Sequence, residues 1–163
     1  MSVMLGDMAV TEVVRLLNSQ LPSLTEESTP AAQTETKGDD NATTEESETE
    51  EDDVTVLRAY KYEKPENISG EYIAVNHLPF VHRYDVCEGT VNINVHVPKL
   101  KNNGIPSKRL SELAQTIVGL FPEGTYLDKA YYEFMTDSRP TLDGDGTYYI
   151  NIQLNVIFNN LND

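Results

Sequence analysis

Residues 89–98 read Gly-Thr-Val-Asn-Ile-Asn-Val-His-Val-Pro, and this stretch decides the fold. Val91, Ile93, Val95 and Val97 fall on one side of an extended chain and Asn92, Asn94 and His96 on the other, because successive side chains of a strand alternate. A helix would scatter both sets around its axis. The pattern returns near the C-terminus, where Ile150, Ile152, Leu154, Val156 and Phe158 share one face and Asn151, Gln153 and Asn155 the other. Two such strands predict a sheet with one dry and one wet face, the arrangement of antiparallel pairing.

The wet set is unusual in kind. Asn and Gln are poor strand formers, and a merely solvated face ordinarily carries Thr, Lys and Glu. Two readings follow: an oddly composed solvated face, or a surface that meets another subunit through neutral hydrogen-bonding groups.

Outward from these strands, the chain begins with a predicted helix from Asp7, as cap, to about Leu21. Val10, Val13, Val14, Leu17 and Leu21 form one apolar stripe, and Pro22 is expected to end it. Residues 23–53 hold twelve Asp or Glu, one Lys and no aromatic residue, so they cannot bury enough apolar surface to offset the entropy of ordering. They read as a disordered acidic linker spanning roughly 30 Å as a random coil. Residues 54–62 suggest a strand, Ile73 and Val75 mark a second within 71–77, and 80–88 read as a loop into the organising strand. Ser107 is placed to cap a second helix with Leu110, Leu113, Ala114, Ile117, Leu120 and Phe121 on its stripe, stopped by Pro122 and Gly124. Residues 126–135 read as one strand, with Tyr132 and Phe134 on one face. Residues 137–146 read as a long polar hairpin loop into the last strand.

The expected architecture is therefore α+β: a mainly antiparallel sheet flanked by an N-terminal helix (1–22) and a central helix within a body spanning 54–163, with the acidic insertion between. The length fits one domain.

The net charge of −15 is uneven, since 23–53 carries −11 and the other 132 residues −4. No cluster of Lys and Arg is present to release counterions from phosphates, so direct nucleic-acid binding is not expected, nor is binding to an anionic membrane. No run approaches the roughly 18 apolar residues of a membrane span, and residues 1–10 lack a basic leader region, which predicts a cytoplasmic protein. Cys87 is the only cysteine, so no intrachain disulfide and no cysteine metal site can form.

Catalytic patterns are absent. His77, His82 and His96 have no metal-ligand spacing, no Gly-rich phosphate loop precedes a helix, and no nucleophile elbow occurs. The expectation is a protein that is not an enzyme and has no cofactor or metal. Asp143-Gly-Asp145-Gly146 is similar to a fragment of a calcium loop, but Thr, Tyr, Tyr and Ile follow where further oxygen ligands would be needed. A tight turn is the better reading.

Four runs carry a family resemblance: Tyr60-Lys-Tyr-Glu-Lys-Pro-Glu-Asn; Glu71-Tyr-Ile-Ala-Val-Asn-His-Leu-Pro; Glu88-Gly-Thr-Val-Asn-Ile-Asn-Val-His-Val-Pro; and Asp143-Gly-Asp-Gly-Thr-Tyr-Tyr-Ile-Asn-Ile. Together they resemble the tail-completion or tail-terminator proteins of long-tailed bacteriophages. The resemblance implies a virion protein that assembles in the host cytoplasm into a homo-oligomeric ring, typically a hexamer. Such a ring caps the tail tube and joins it to the head connector in the neck. A head-closure or adaptor protein of the neck is one alternative. An acidic DNA-mimicking inhibitor is another, although its acids would need a rigid display.

For assembly, the expected subunit-interface residues are Asn92, Asn94, His96, Asn151, Gln153 and Asn155 on the wet face. The hairpin loop adds Asp143 and Asp145.

Overall fold

In the computed structural model, which describes residues 5–25 and 56–159, the two alternating stretches become the two longest strands, and they pair with each other. β4 (Val86–Pro98) and β8 (Thr147–Asn159) run antiparallel over 13 residues each. Val91 faces Leu154, Ile93 faces Ile152 and Val95 faces Ile150. A slip of one residue would turn the Asn set into the core, so burial fixes this register.

Each central strand is flanked by a strand in two pieces. β2 (Tyr72–His77) and β3 (Val81–Arg83) both pair with β4, while β6 (Ala130–Asp137) and β7 (Thr141–Leu142) both pair with β8. β1 (Ala59–Lys61) lies parallel beside β2, and β5 (Thr125–Leu127) closes the opposite edge, giving the order β1-β2-β4-β8-β6-β5. The fold is α+β with a mainly antiparallel sheet.

Both helices cover the dry face. α1 (Leu5–Thr25) buries Ala9, Val10, Val13, Leu17 and Leu21 over β1, β2 and β4, and α2 (Ser107–Val118) buries Leu110, Leu113, Ala114 and Ile117 over β4 and β8. These residues form one continuous core with Ile73, Val75, Tyr132 and the dry sets of β4 and β8. Arg109 of α2 donates two 2.8 Å hydrogen bonds to the Glu71 carboxylate, a bidentate tie to the start of β2.

The helix ends differ from expectation. Asp7 is not a cap but sits in the first turn of α1, where its carboxylate takes the Lys61 ammonium at 2.6 Å and the Tyr62 hydroxyl at 2.8 Å; a tertiary partner wins over the local cap. α1 also continues past Pro22 to Thr25, since a proline removes one backbone donor without forbidding the following turn. Residues 23–25 therefore belong to α1, and the rest of the expected acidic linker lies outside the described residues. Ser107 makes no cap hydrogen bond. Pro106, at φ −78° and ψ 54°, forms an inverse γ-turn in which Ser107 N–H donates to the Ile105 carbonyl, so Ser107 is already the first helical residue.

Expected loops also turn out to be paired. Residues 80–88 form a hairpin, with β3 folded on the start of β4 around Tyr84-Asp85. The expected single strand 126–135 is a hairpin too, broken at Asp128, whose φ is 50°. In the 54–62 stretch only Ala59–Lys61 is strand among the described residues. The 137–146 segment is not a projecting loop, because β7 zips onto Tyr148 and Tyr149 and leaves only a tight turn.

The β1 edge is closed by a side chain. Asn18 of α1 donates from Nδ2 to the Ala59 carbonyl and accepts the Ala59 N–H at Oδ1, both at 2.9 Å, as a neighbouring strand would.

Candidate assembly surface

Among the described residues the second face of the sheet carries no helix, and its centre is a grid of three rows set by strand register. Tyr72, His96 and Tyr149 stand side by side on β2, β4 and β8; Ala74, Asn94 and Asn151 form the next row, and Asn76, Asn92 and Gln153 the third. Directly opposed residues of neighbouring strands are close enough for their side chains to bond.

The amides do bond. Asn92 donates to Asn76 at 3.0 Å and accepts from Gln153 at 3.2 Å, while Asn151 donates to Asn94 at 2.8 Å. Asn155 stands outside this ladder, between Thr90 and Glu133. In the aromatic row His96 stacks on Tyr72 at 4.3 Å and on Tyr149 at 5.1 Å, with interplanar angles of 11° and 24°. No member of the three rows carries a formal charge when His96 is neutral. Charged side chains, Lys64, Glu133, Asp143 and Asp145, stand at the rim.

The turn between β7 and β8 folds against the aromatic row. Gly146 N–H donates to the Asp143 carbonyl at 3.2 Å and Asp143 N–H to the Thr147 carbonyl at 2.8 Å, with Gly146 at φ 85°. This is a three-residue hairpin loop closed by a residue in the left-handed region, where glycine avoids a Cβ clash. The tight-turn reading holds.

Asp145 is the centre of a latch. Its Oδ1 accepts from Thr147 N at 2.9 Å and Thr147 Oγ1 at 2.6 Å; its Oδ2 accepts from Tyr72 Oη at 2.8 Å and Lys64 Nζ at 3.0 Å. Burial by itself would raise this carboxyl, but the bonds from Thr147, Lys64 and Tyr72 outweigh it and hold it well below the usual carboxylate range. Burial, with the bond to Asp145 adding to it, pushes the Tyr72 phenol well up.

Thr147 spends its one hydroxyl proton on Asp145, so its oxygen must accept from His96 Nδ1 at 3.0 Å. That fixes the imidazole proton on Nδ1. Burial lowers the His96 pKa, against the opposing pull of Asp143 and Asp145, which favours the neutral ring.

His96, Asp143 and Asp145 bring three possible ligand atoms within 4.8 Å of one another. They do not make a convincing cation site. The Lys64 ammonium already occupies Asp145 Oδ2, both Asp145 oxygens have two donors each, and His96 Nδ1 holds a proton toward Thr147. Chemically the cluster is an ionic latch that pins the turn to the grid.

All eight residues expected at the interface are thus brought to one face or its end. They are less free than expected, since Asn92 and His96 are only 7% and 6% exposed and the amides pair with one another. Lys64, Tyr72, Asn76, Thr147 and Tyr149 were not anticipated. Tyr72 and Asn76 have the right alternation with Ala74, but which residues they oppose on β4 is a matter of register. The chain matches no protein-family model and no curated protein sequence.

Proposed function

We propose that this chain is a non-enzymatic virion assembly protein of the tail-terminator or tail-completion kind, a ring-forming subunit that caps a phage tail tube and meets the head connector. The observation that carries the reading is the uncharged, pre-paired grid on the helix-free face.

Docking a surface costs the desolvation of its polar groups and the freezing of its side chains. Neutral amides cost less to desolvate than charges, and amides already bonded across strands have little rotamer freedom left to lose. A neutral centre with a charged rim is also the anatomy of protein interfaces. The family resemblance of the four sequence runs supplies the kind of assembly.

The test places charge on the grid and just beyond its last row without opening the core. Asn92 is too buried to accept a lysine, so the suitable change is Gln153→Lys with Asn155→Lys, both half-buried on β8. The expected result is a protomer with parental circular dichroism that has lost the ring seen by light scattering and negative-stain microscopy. Phage carrying the variant should accumulate tails of abnormal length or tails detached from heads. A variant that assembles and joins heads to tails as well as the parent removes this face from the interface.

A further inference from the structure

We propose that copies of this chain join head to tail, with the β3–β4 hairpin tip of one copy seated in the groove at the N-terminus of α2 of the next. The contact rests on the ring reading above and assigns the two different patches that a closing ring requires.

The plug is an apolar tip without cover. Tyr84 is 103% exposed and Val81 53%, with Leu78 and Val86 exposed beside them. Val81 and Val86 continue the row direction of the helix-free face, because Val81 lies opposite Glu88 and Val86 opposite Arg83, the even-numbered side of β4. Tyr84 also holds φ at 42°, a conformation that suits glycine or asparagine and disfavours a bulky ring. The two-residue turn of the β3–β4 hairpin asks for a positive φ there, but the exposed ring itself makes no contact inside the protomer and is free to make one with a partner.

The socket lies at the far end of the same strand. β4 separates the two by 13 residues, roughly 40 Å at the usual strand rise. There Leu100 and Ile105, 49% and 48% exposed, line with Pro106 a groove of about 320 Å³ running along Lys108, Arg109 and Glu112.

The charges around the two patches are complementary. The plug carries Asp85, Glu88 and Arg83; the socket is lined by Lys108, Glu112 and the Glu71-bound Arg109, with Lys101 next to Leu100 in the chain. Lys101, Asp85 and Glu88 have no ion-pair partner among the described residues, and Lys108 reaches Glu112 only at 3.9 Å. The plug thus carries two carboxylates against one guanidinium, and the socket two ammonium groups against one carboxylate. Neither patch is complementary to itself, so plug must meet socket, and a contact made head to tail repeats until it closes.

The experiment uses two variants of the full chain, Tyr84→Asp with the plug spoiled and Ile105→Asp with the socket spoiled. Both positions are exposed, so each should keep the parental circular dichroism. Sedimentation velocity should show each variant alone as a monomer, its association weakened roughly 30-fold or more relative to the parent, as for loss of an interface anchor. Mixed together they should form one-to-one dimers that grow no further, because one intact plug and one intact socket remain. Tyr84→Gly, which relieves the backbone, should raise the melting temperature and still weaken association. A variant that assembles like the parent, or a mixture that stays monomeric, overturns the contact and leaves the ring reading standing. A parent that is monomeric at every concentration overturns both.

Discussion

Replacing Asp145 with Asn removes the charge at the centre of the latch while keeping its shape. Asn Oδ1 can still accept both bonds from Thr147, but the group that replaces Oδ2 is a donor facing Lys64 and Tyr72. The Tyr72 hydroxyl can turn to accept; the Lys64 ammonium cannot, and it must leave for solvent. A hydrogen bond to a charged group contributes about 1.5–3 kcal/mol, and the ion pair with Lys64 less, about 1 kcal/mol, because both side chains are a quarter exposed. With the Tyr72 bond partly retained, the loss at pH 7 should be about 2–3 kcal/mol. For a body of this size that lowers the melting temperature by roughly 6–10 °C.

The pH dependence follows from the depressed carboxyl. Its folded pKa lies below the unfolded value near 3.9, so the stabilisation is fully present above about pH 5 and is lost as the pH falls through the folded value. Urea unfolding of parent and Asp145→Asn, followed by circular dichroism from pH 7 down to pH 3, should show a gap that is widest at neutral pH and narrows in acid. A variant within about 0.5 kcal/mol of the parent at pH 7, or a gap that does not narrow, would refute the latch.

Two further outcomes test the sheet. Ile152, fully buried opposite Ile93, should cost about 2–4 kcal/mol when cut to Ala, whereas Asn94→Ala, which removes only an acceptor for Asn151, should cost under about 1 kcal/mol by the same urea titration. Equal losses would mean that the two faces are misassigned. Asn18→Ala should cost about 1–2 kcal/mol and make the protein associate with rising concentration in light scattering, because it leaves the Ala59 N–H and carbonyl open on an edge strand; stability and association both unchanged would show that the edge needs no plug.

The alternation of Val91 to Val97 against Asn92 to His96, and its repeat from Ile150 to Phe158, determined by itself that there is a sheet, which strands lie at its centre and which side chains face the helices. Period-2 alternation is local, and burial of one face leaves a strand no second choice. The stripe of Val10, Val13, Leu17 and Leu21 was legible for the same reason at helical spacing. The Asp-Gly pairs likewise announced a tight turn.

What the sequence could not decide was pairing. That Tyr72 stacks on His96, that Lys64 reaches Asp145 across the loop after β1, and that Asn18 closes the edge at Ala59 all join residues far apart in the chain, and only register and helix placement bring them together. The misjudged ends share this cause. Asp7 has the chemistry of a cap, yet Lys61 and Tyr62 claim its carboxylate; residues 80–88 read as a loop and 137–146 as a polar hairpin loop, yet β4 and β8 run long enough to bind parts of both as strands. An exposed backbone next to an unpaired edge gains hydrogen bonds by zipping on, whatever its composition, and the existence of that edge is a property of the tertiary structure alone.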